Sequence, residues 1–163
     1  MVNVEADAMV GPLLTKKADA AGVCYSMAYG DQPALVSEMV DWARATGFYV
    51  TAAGKGTKYL PIYHNITPDE VWAHYGLTKE EAHKAGMNPQ MFNSFLDGTK
   101  SAIEMVAIAN SCGLDVPSNG LHFLPCGADD LARVLRPRDL SGQLEKRGTV
   151  ETISSFERDG RPV

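Results

Sequence analysis

Residues 23–53 read VCYSMAYGDQPALVSEMVDWARATGFYVTAA, and the order of short runs in this stretch decides the predicted fold. The apolar runs at 23–29 and 48–53 are typical of buried strands. Between them, apolar residues recur at helical spacing, and Gly47 supplies the stop signal of a helix. Two strands joined by a helix of this length indicate a right-handed crossover, so we expect a parallel sheet.

The rest of the chain divides at residue 60 into an α/β part and a mainly helical part. Residues 2–6 alternate like a further strand, and residues 13–21 have a helical pattern. We therefore predict that residues 1–60 are the C-terminal part of a Rossmann-like nucleotide-binding domain with a partial parallel sheet. Residues 61–163 are predicted to be a helical catalytic and dimerisation region that ends in an incomplete hairpin.

Local signals place the helices of this second part. TPDE (67–70) and TKEE (78–81) are capping boxes, so a short helix should follow the start of each. Residues 88–112 are expected to form one longer helix that runs through Gly98. A last short helix is predicted at 131–135, after two aspartates that favour a helix start.

The two ends of the chain suggest a larger protein. TVETISSFE (149–157) alternates like a strand, and the Asp159-Gly160 turn signal is followed by only three residues, so a full returning strand is missing. At the other end, the βαβ pattern begins without a preceding glycine-rich phosphate-binding turn. Both features predict the middle piece of a longer polypeptide.

Composition narrows the class of protein and its location. The 163 residues carry a net charge of -5 with no dense basic face, which argues against a nucleic-acid partner. No run of about 18 apolar residues exists and the first residues are acidic, so neither a membrane span nor a signal peptide is predicted. The three cysteines form no C-x-x-C pair, and the four histidines form no H-x-x-x-H or H-E-x-x-H motif. We expect a cytoplasmic globular protein without a metal site.

The stretch NSFLDGTKSAIE (93–104) places charges at the start of an otherwise apolar helix. Asp97, Lys100 and Glu104 recur at three and four residues and should share one helical face. One interpretation is a solvated stripe of surface ion pairs. We favour a cleft, because the residues that follow leave little polar surface and buried charges are costly unless they are paired or face a ligand.

Two further stretches follow predicted strands, where parallel sheets bind ligands. In AAGKGTKYLP (52–61), glycines allow close approach of the backbone, and Lys55 and Lys58 can anchor a substrate or phosphate; the alternative is an ordinary solvated loop. In AYGDQPAL (28–35), backbone N–H groups at the helix start could face an anion, although Asp31 is more simply a helix cap.

These stretches, together with GMNPQMFNSFLDGTKSAIEM (86–105) and GTVETISSFERDGRP (148–162), resemble a known family. The chain is similar to the homoserine-dehydrogenase-like NAD(P)-dependent oxidoreductases that carry a C-terminal SAF domain. One branch of that family works as a 1-deoxy-D-xylulose 5-phosphate reductoisomerase. The resemblance covers essentially the whole chain and implies an oxidoreductase acting on a small polar hydroxy or keto substrate.

The resemblance also implies a homodimer and a nicotinamide cofactor, with NADP favoured over NAD. In homoserine dehydrogenases, an aspartate and a lysine close together on a helix bind the substrate and assist proton transfer. Patterns and resemblance together predict three groups: catalytic Lys55, Asp97 and Lys100; substrate-binding Lys58, His64, Asn93, Ser101 and Glu104; and cofactor-binding Tyr29, Gly30, Asp31 and Gly54. Two alternatives stay open, namely the reductoisomerase branch and a non-catalytic dimerisation or regulatory module.

Overall fold

The computed structural model describes residues 4–163 and has the predicted α/β class, with a parallel sheet, many helices and a C-terminal strand. In chain order, the elements are α1 (Val4–Ala21), α2 (Gln32–Ala45), β1 (Ala52–Thr57), α3 (Val71–Tyr75), α4 (Lys79–Lys84), α5 (Pro89–Leu96), α6 (Thr99–Cys112), β2 (Leu124–Pro125), α7 (Leu131–Val134) and β3 (Thr149–Ser154). Short 3-10 turns lie at Pro61–Asn65, Ala128–Asp130 and Arg138–Leu140. None of the helices in this part of the chain is long and apolar enough to cross a membrane.

The sheet has the strand order β1-β3-β2, and both pairings are parallel. β3 lies in the centre because it pairs with both β1 and β2. β1 pairs with it along its whole length, from Ala52 opposite Thr149 to Thr57 opposite Ser154. The sheet therefore joins strands from both sides of residue 60. Helix α6 packs on the sheet with a buried apolar core that also receives α2; its members include Val40, Met105, Ile108 and Val150.

Residues 4–21 form one continuous helix, so the predicted strand at 2–6 is wrong for the part that lies within the described residues. Pro12 inside this helix has no N–H to donate to the carbonyl of Ala8, four residues earlier. The side chain of Asn110, on α6, donates its Nδ2 to that carbonyl oxygen at 2.7 Å. Helix α1 can continue through the proline because a distant residue satisfies the orphaned acceptor.

The predicted strand at 23–29 is also absent, and these residues connect α1 to α2 without regular structure. Val23 is 61% exposed and Cys24 is exposed, so the apolar run is not buried in a sheet. The hydroxyl of Tyr25 donates a hydrogen bond to the carboxylate of Asp7, which ties the connection to α1 instead.

β1 begins later than the predicted strand over 48–53. Phe48 and Tyr49 are 64% and 72% exposed, and pairing with β3 begins only at Ala52. Lys55 therefore lies inside a strand, and the prediction that it belongs to a loop after the strand is wrong.

The predicted helix over 88–112 is interrupted and forms the two helices α5 and α6. Gly98 separates them with φ of 92°, a conformation in which other residues are strained. Asp97 ends α5, and its Oδ1 accepts a hydrogen bond from the backbone N of Thr99 at 2.8 Å. Asp97 thus closes the turn between the helices and does not share a helical face with Lys100.

The two capping boxes differ in outcome. Thr78 and Glu81 form the complete reciprocal box before α4, as predicted. The carboxylate of Glu70 accepts hydrogen bonds from the backbone N and hydroxyl of Thr67, at 3.0 and 2.7 Å, but α3 begins only at Val71. The motif at 78–81 starts a helix directly, whereas the motif at 67–70 stabilises a turn that precedes a helix.

The predicted turn at the C-terminus is confirmed. Gly160 has φ of 89°, and the backbone N of Glu157 donates to the carbonyl of Arg161 at 2.7 Å. The returning limb is a single antiparallel bridge between Phe156 and Pro162.

The Tyr25 hydroxyl gives the first prediction. Its hydrogen bond to Asp7, then burial and the nearby carboxylate charge, raise the pKa of Tyr25 from 10.0 to about 12. The contribution of this bond to stability is present below pH 10 and is lost as the pH rises through about 12. Tyrosinate absorbance is titrated with pH for wild type and for Tyr25→Phe, and the second curve is subtracted from the first. The difference should show one group that titrates near pH 12. A difference centred at the ordinary tyrosine pKa contradicts the bond.

Candidate active site

A buried carboxylate joins two of the predicted lysines. Glu104 on α6 is 1% exposed, and its Oε2 forms an ion pair with the Nζ of Lys55 on β1. Its Oε1 pairs with the Nζ of Lys100, one helical turn earlier, at 3.0 Å. Lys55 is also bonded to Gln32 Oε1 at 3.1 Å. We call Lys55, Lys100 and Glu104 the lysine cluster.

The two lysines of the lysine cluster share one carboxylate but differ in their exposure to solvent. A buried carboxylate is costly unless it is paired and hydrogen-bonded, and each oxygen of Glu104 has its own cation. The Lys55 side chain is 13% exposed, whereas that of Lys100 is 42% exposed and lies over the ring of Phe95. Two cations sharing one anion leave one positive charge, and Lys100 is the more accessible of the two.

Asp97 and Asn93 form a second predicted pair at the junction of α5 and α6. Asn93 is 7% exposed and donates its Nδ2 to Asp97 Oδ2 at 2.9 Å. This bond fixes the orientation of the amide, because the carboxylate only accepts. Among the described residues, no donor reaches the buried Oδ1 of Asn93. Ser101 is buried on α6, directly after Lys100.

Two glycines permit close packing around these groups. A Cβ on Gly54 would lie 1.8 Å from the carbonyl oxygen of Glu151, which is its partner in β3. A Cβ on Gly98 would lie 2.9 Å from the ring of Phe123. Gly54 is therefore needed for strand pairing, which is a structural role different from the predicted contact with a cofactor.

A second buried carboxylate escaped the sequence analysis. Glu151 on β3 is 4% exposed, and its Oε1 accepts hydrogen bonds from the backbone N of His122 and of Thr152, both at 2.9 Å. Its Oε2 lies 2.7 Å from His122 Nδ1. A glutamate inside a strand that is otherwise buried was the available signal, but its partner lies 29 residues away. We call His122 and Glu151 the histidine dyad.

The loop that carries His122 packs against the α5–α6 junction. Phe123 is buried and has φ of 48°, a rare conformation for a bulky residue. Its ring stacks on Tyr59, with centroids 4.0 Å apart, and covers Gly98. Burial, more than the nearby charge of Asp97, raises the pKa of Tyr59, and Arg158 partly opposes this rise. Strained backbone of this kind is concentrated at functional sites.

The other predicted residues lie apart from the lysine cluster. Lys58 is exposed after β1 and has no ion pair with any described residue, and His64 is exposed in the 3-10 turn at 61–65. Asp31 caps α2 through the backbone N of Gln32 at 2.9 Å. Tyr29 is 94% exposed beside Gly30, in the turn that precedes α2.

An open groove of about 800 Å³ runs along the sheet. Lys55 of the lysine cluster and Glu151 of the histidine dyad both line it. Its other lining is largely apolar and includes Met39, Trp42 and Leu140. Mostly apolar grooves of this size with a few polar groups are typical of small-molecule sites.

Comparison with models of known families identifies a family for most of the chain. Residues 30–162 match the family model described as "Oxidoreductase DRL, catalytic domain". The chain belongs to the DRL oxidoreductase family. A search of curated proteins found no match.

The DRL match includes the lysine cluster, the Asn93–Asp97 pair and the histidine dyad. It also includes all three strands and leaves out α1, which packs along α6. The oxidoreductase expectation is therefore supported at the level of the family.

Proposed function

We propose that this chain is the catalytic region of an NAD(P)-dependent oxidoreductase that resembles homoserine dehydrogenase and acts on a small polar hydroxy or keto substrate. The observation that carries this proposal is the lysine cluster, in which one buried carboxylate holds two ammonium groups in place. Cations that are already held in place can stabilise the negative charge that develops on a carbonyl oxygen during reduction.

The two lysines have different roles. Lys100 is the more exposed, so its Nζ is the donor that reaches the substrate oxygen. Lys55 is nearly buried between Glu104 and Gln32, so it keeps the carboxylate compensated and adds positive potential. A preformed arrangement of this kind needs little reorganisation when the oxyanion develops.

Asp97 and Asn93 supply acceptors on the neighbouring junction. The amide of Asn93 holds the carboxylate of Asp97, and the backbone N of Thr99 holds its other oxygen. A substrate hydroxyl donates to this carboxylate and is thereby oriented. We assign substrate orientation to Asp97 and support of its carboxylate to Asn93.

The cofactor part of the proposal concerns NADP or NAD. Tyr29 and Gly30 fit as contacts for one end of the nicotinamide dinucleotide, because their exposed turn leads to Gln32, which touches Lys55. Gly54 lines the groove, and its close approach to Glu151 requires a glycine there whether or not a cofactor binds. The nicotinamide, when bound, accepts or supplies the hydride.

A homodimer is included in the proposal. β1 is an edge strand whose other side is unpaired within residues 4–163, and such an edge is a ready template for another strand. The alternative of a non-catalytic dimerisation module shares this feature, so a size measurement does not separate the two functions and an assay is required.

The test is cofactor-dependent turnover by the purified protein. NADPH with 1-deoxy-D-xylulose 5-phosphate, and NADP with homoserine, should be followed by nicotinamide absorbance and repeated with NADH and NAD. We expect turnover with one substrate and a preference for NADP or NADPH. Absence of turnover with both, together with no change in NADPH fluorescence on adding protein, contradicts the proposed oxidoreductase and favours the non-catalytic module.

A further inference from the structure

The histidine dyad has an arrangement that loop anchoring alone does not require. The backbone N of His122 already bonds to Glu151 Oε1 at 2.9 Å and fixes the loop to β3. The imidazole then makes a second bond, from Nδ1 to Oε2 at 2.7 Å. The carboxylate therefore fixes the side chain as well as the backbone.

The bond to Glu151 determines which ring nitrogen is free. A carboxylate only accepts, so Nδ1 carries the proton in the neutral imidazole and Nε2 keeps its lone pair. Within residues 4–163 no hydrogen-bond partner of Nε2 is present, and the His122 side chain is 26% exposed. A base oriented by a buried carboxylate is the arrangement found in general acid–base catalysis.

Two contacts place the dyad beside the groups already described. Glu151 pairs with Gly54, the residue before Lys55, and both Glu151 and Lys55 line the same groove. On the other side, Phe123 directly follows His122 and covers Gly98, the residue after Asp97. Glu151 thus lies on the strand next to the one that carries Lys55, and the loop of His122 contacts the junction that carries Asp97.

We propose that His122 exchanges a proton with the substrate oxygen through Nε2 and that Glu151 is its positioning residue. The inference rests on the proposed function and adds to it, because the lysine cluster stabilises charge on the substrate oxygen without offering a free base. In oxidation, the substrate O–H bond breaks, its electron pair stays on oxygen, and an N–H bond forms at Nε2. Glu151 stabilises the resulting imidazolium, and the same proton returns to oxygen in reduction. Only this proton step is assigned to the dyad.

The first experiment tests the free nitrogen without any substrate. The purified protein is treated with diethyl pyrocarbonate, which modifies unprotonated, accessible imidazole nitrogen, and the peptides are analysed by mass spectrometry. His122 should react at a rate comparable to the exposed His64, which serves as internal reference. An unreactive His122 in a sample where His64 is modified overturns the proposal.

The second experiment measures the proton step. His122→Ala should lower kcat about 100-fold or more, the range expected for loss of a general acid–base group. Added imidazole should restore part of the rate, which a purely structural loss does not allow. His83→Ala, an exposed histidine on α4, is the matched control and should keep wild-type kcat. Equal rates for His122→Ala and wild type, or a loss that imidazole does not relieve, overturn the assignment.

Glu151→Gln separates positioning from folding. We expect a lower kcat with nearly unchanged KM, and a double variant with His122→Ala that is no slower than His122→Ala alone, because both act on one step. Additive losses indicate a structural role and overturn the positioning assignment. If wild type has no turnover while His122 is labelled, the proposed function has failed and the free Nε2 stands. If wild type turns over and His122→Ala has the same kcat, the proposed function stands and the assignment of the proton step to His122 has failed.

Discussion

Gly54→Ala should destabilise the protein by more than about 4 kcal/mol, a loss that is exceptional for a single methyl group. The new Cβ would lie 1.8 Å from the carbonyl oxygen of Glu151 and 2.9 Å from its carbonyl carbon. Because these are backbone atoms of the central strand, no side chain can move aside to make room. The strands must separate, which breaks the β1–β3 ladder. Urea unfolding followed by circular dichroism measures the loss.

Gly56→Ala is the matched control on the same strand. Its Cβ would lie 3.5 Å from the side chain of Ile153, which is ordinary contact. We expect the free energy of unfolding to change by less than about 1 kcal/mol. The change can be stabilising, because alanine restricts the unfolded chain more than glycine does. Equal unfolding midpoints for the two variants would show that the pairing of Gly54 with Glu151 is not as close as described.

Lys100→Ala should lower kcat by about 100-fold to 1,000-fold in the substrate assay, the effect typical of removing one donor to a developing oxyanion. The melting temperature should change little, since Lys55 still compensates Glu104 and the Lys100 side chain is 42% exposed. Steady-state kinetics and thermal unfolding of the same preparations measure both quantities.

Lys146→Ala is the control for charge and exposure. Lys146 is 39% exposed and pairs with Asp115 at 3.1 Å, outside the candidate site. This variant should keep wild-type kcat. A normal kcat for Lys100→Ala, or an equal fall in both variants, contradicts the role of Lys100 as the oxyanion donor.

Part of the site could be predicted from spacing alone. Lys100 and Glu104 are four residues apart on one helix, so their pairing follows from helix geometry. The prediction that Asp97 shares a helical face with Lys100 was wrong, because Gly98, with its positive φ, ends a helix that the apolar spacing continues. Spacing also gave no sign that Gly54 must be glycine, because that need comes from a strand that pairs with it almost a hundred residues later.

The sequence by itself determined the α/β class, the start of α4 at its capping box, the end of α6 at Cys112 and the helical pair within the lysine cluster. These features depend on residues within a few positions of one another. Only the tertiary structure decided the passage of α1 through Pro12, the arrival of Lys55 at Glu104 from 49 positions away and the approach of His122 to Glu151. The physical reason is the same in each case. A carbonyl left unpaired by a proline, like a buried carboxylate, needs a donor, and which distant donor reaches it depends on strand pairing and helix packing, which periodicity does not encode.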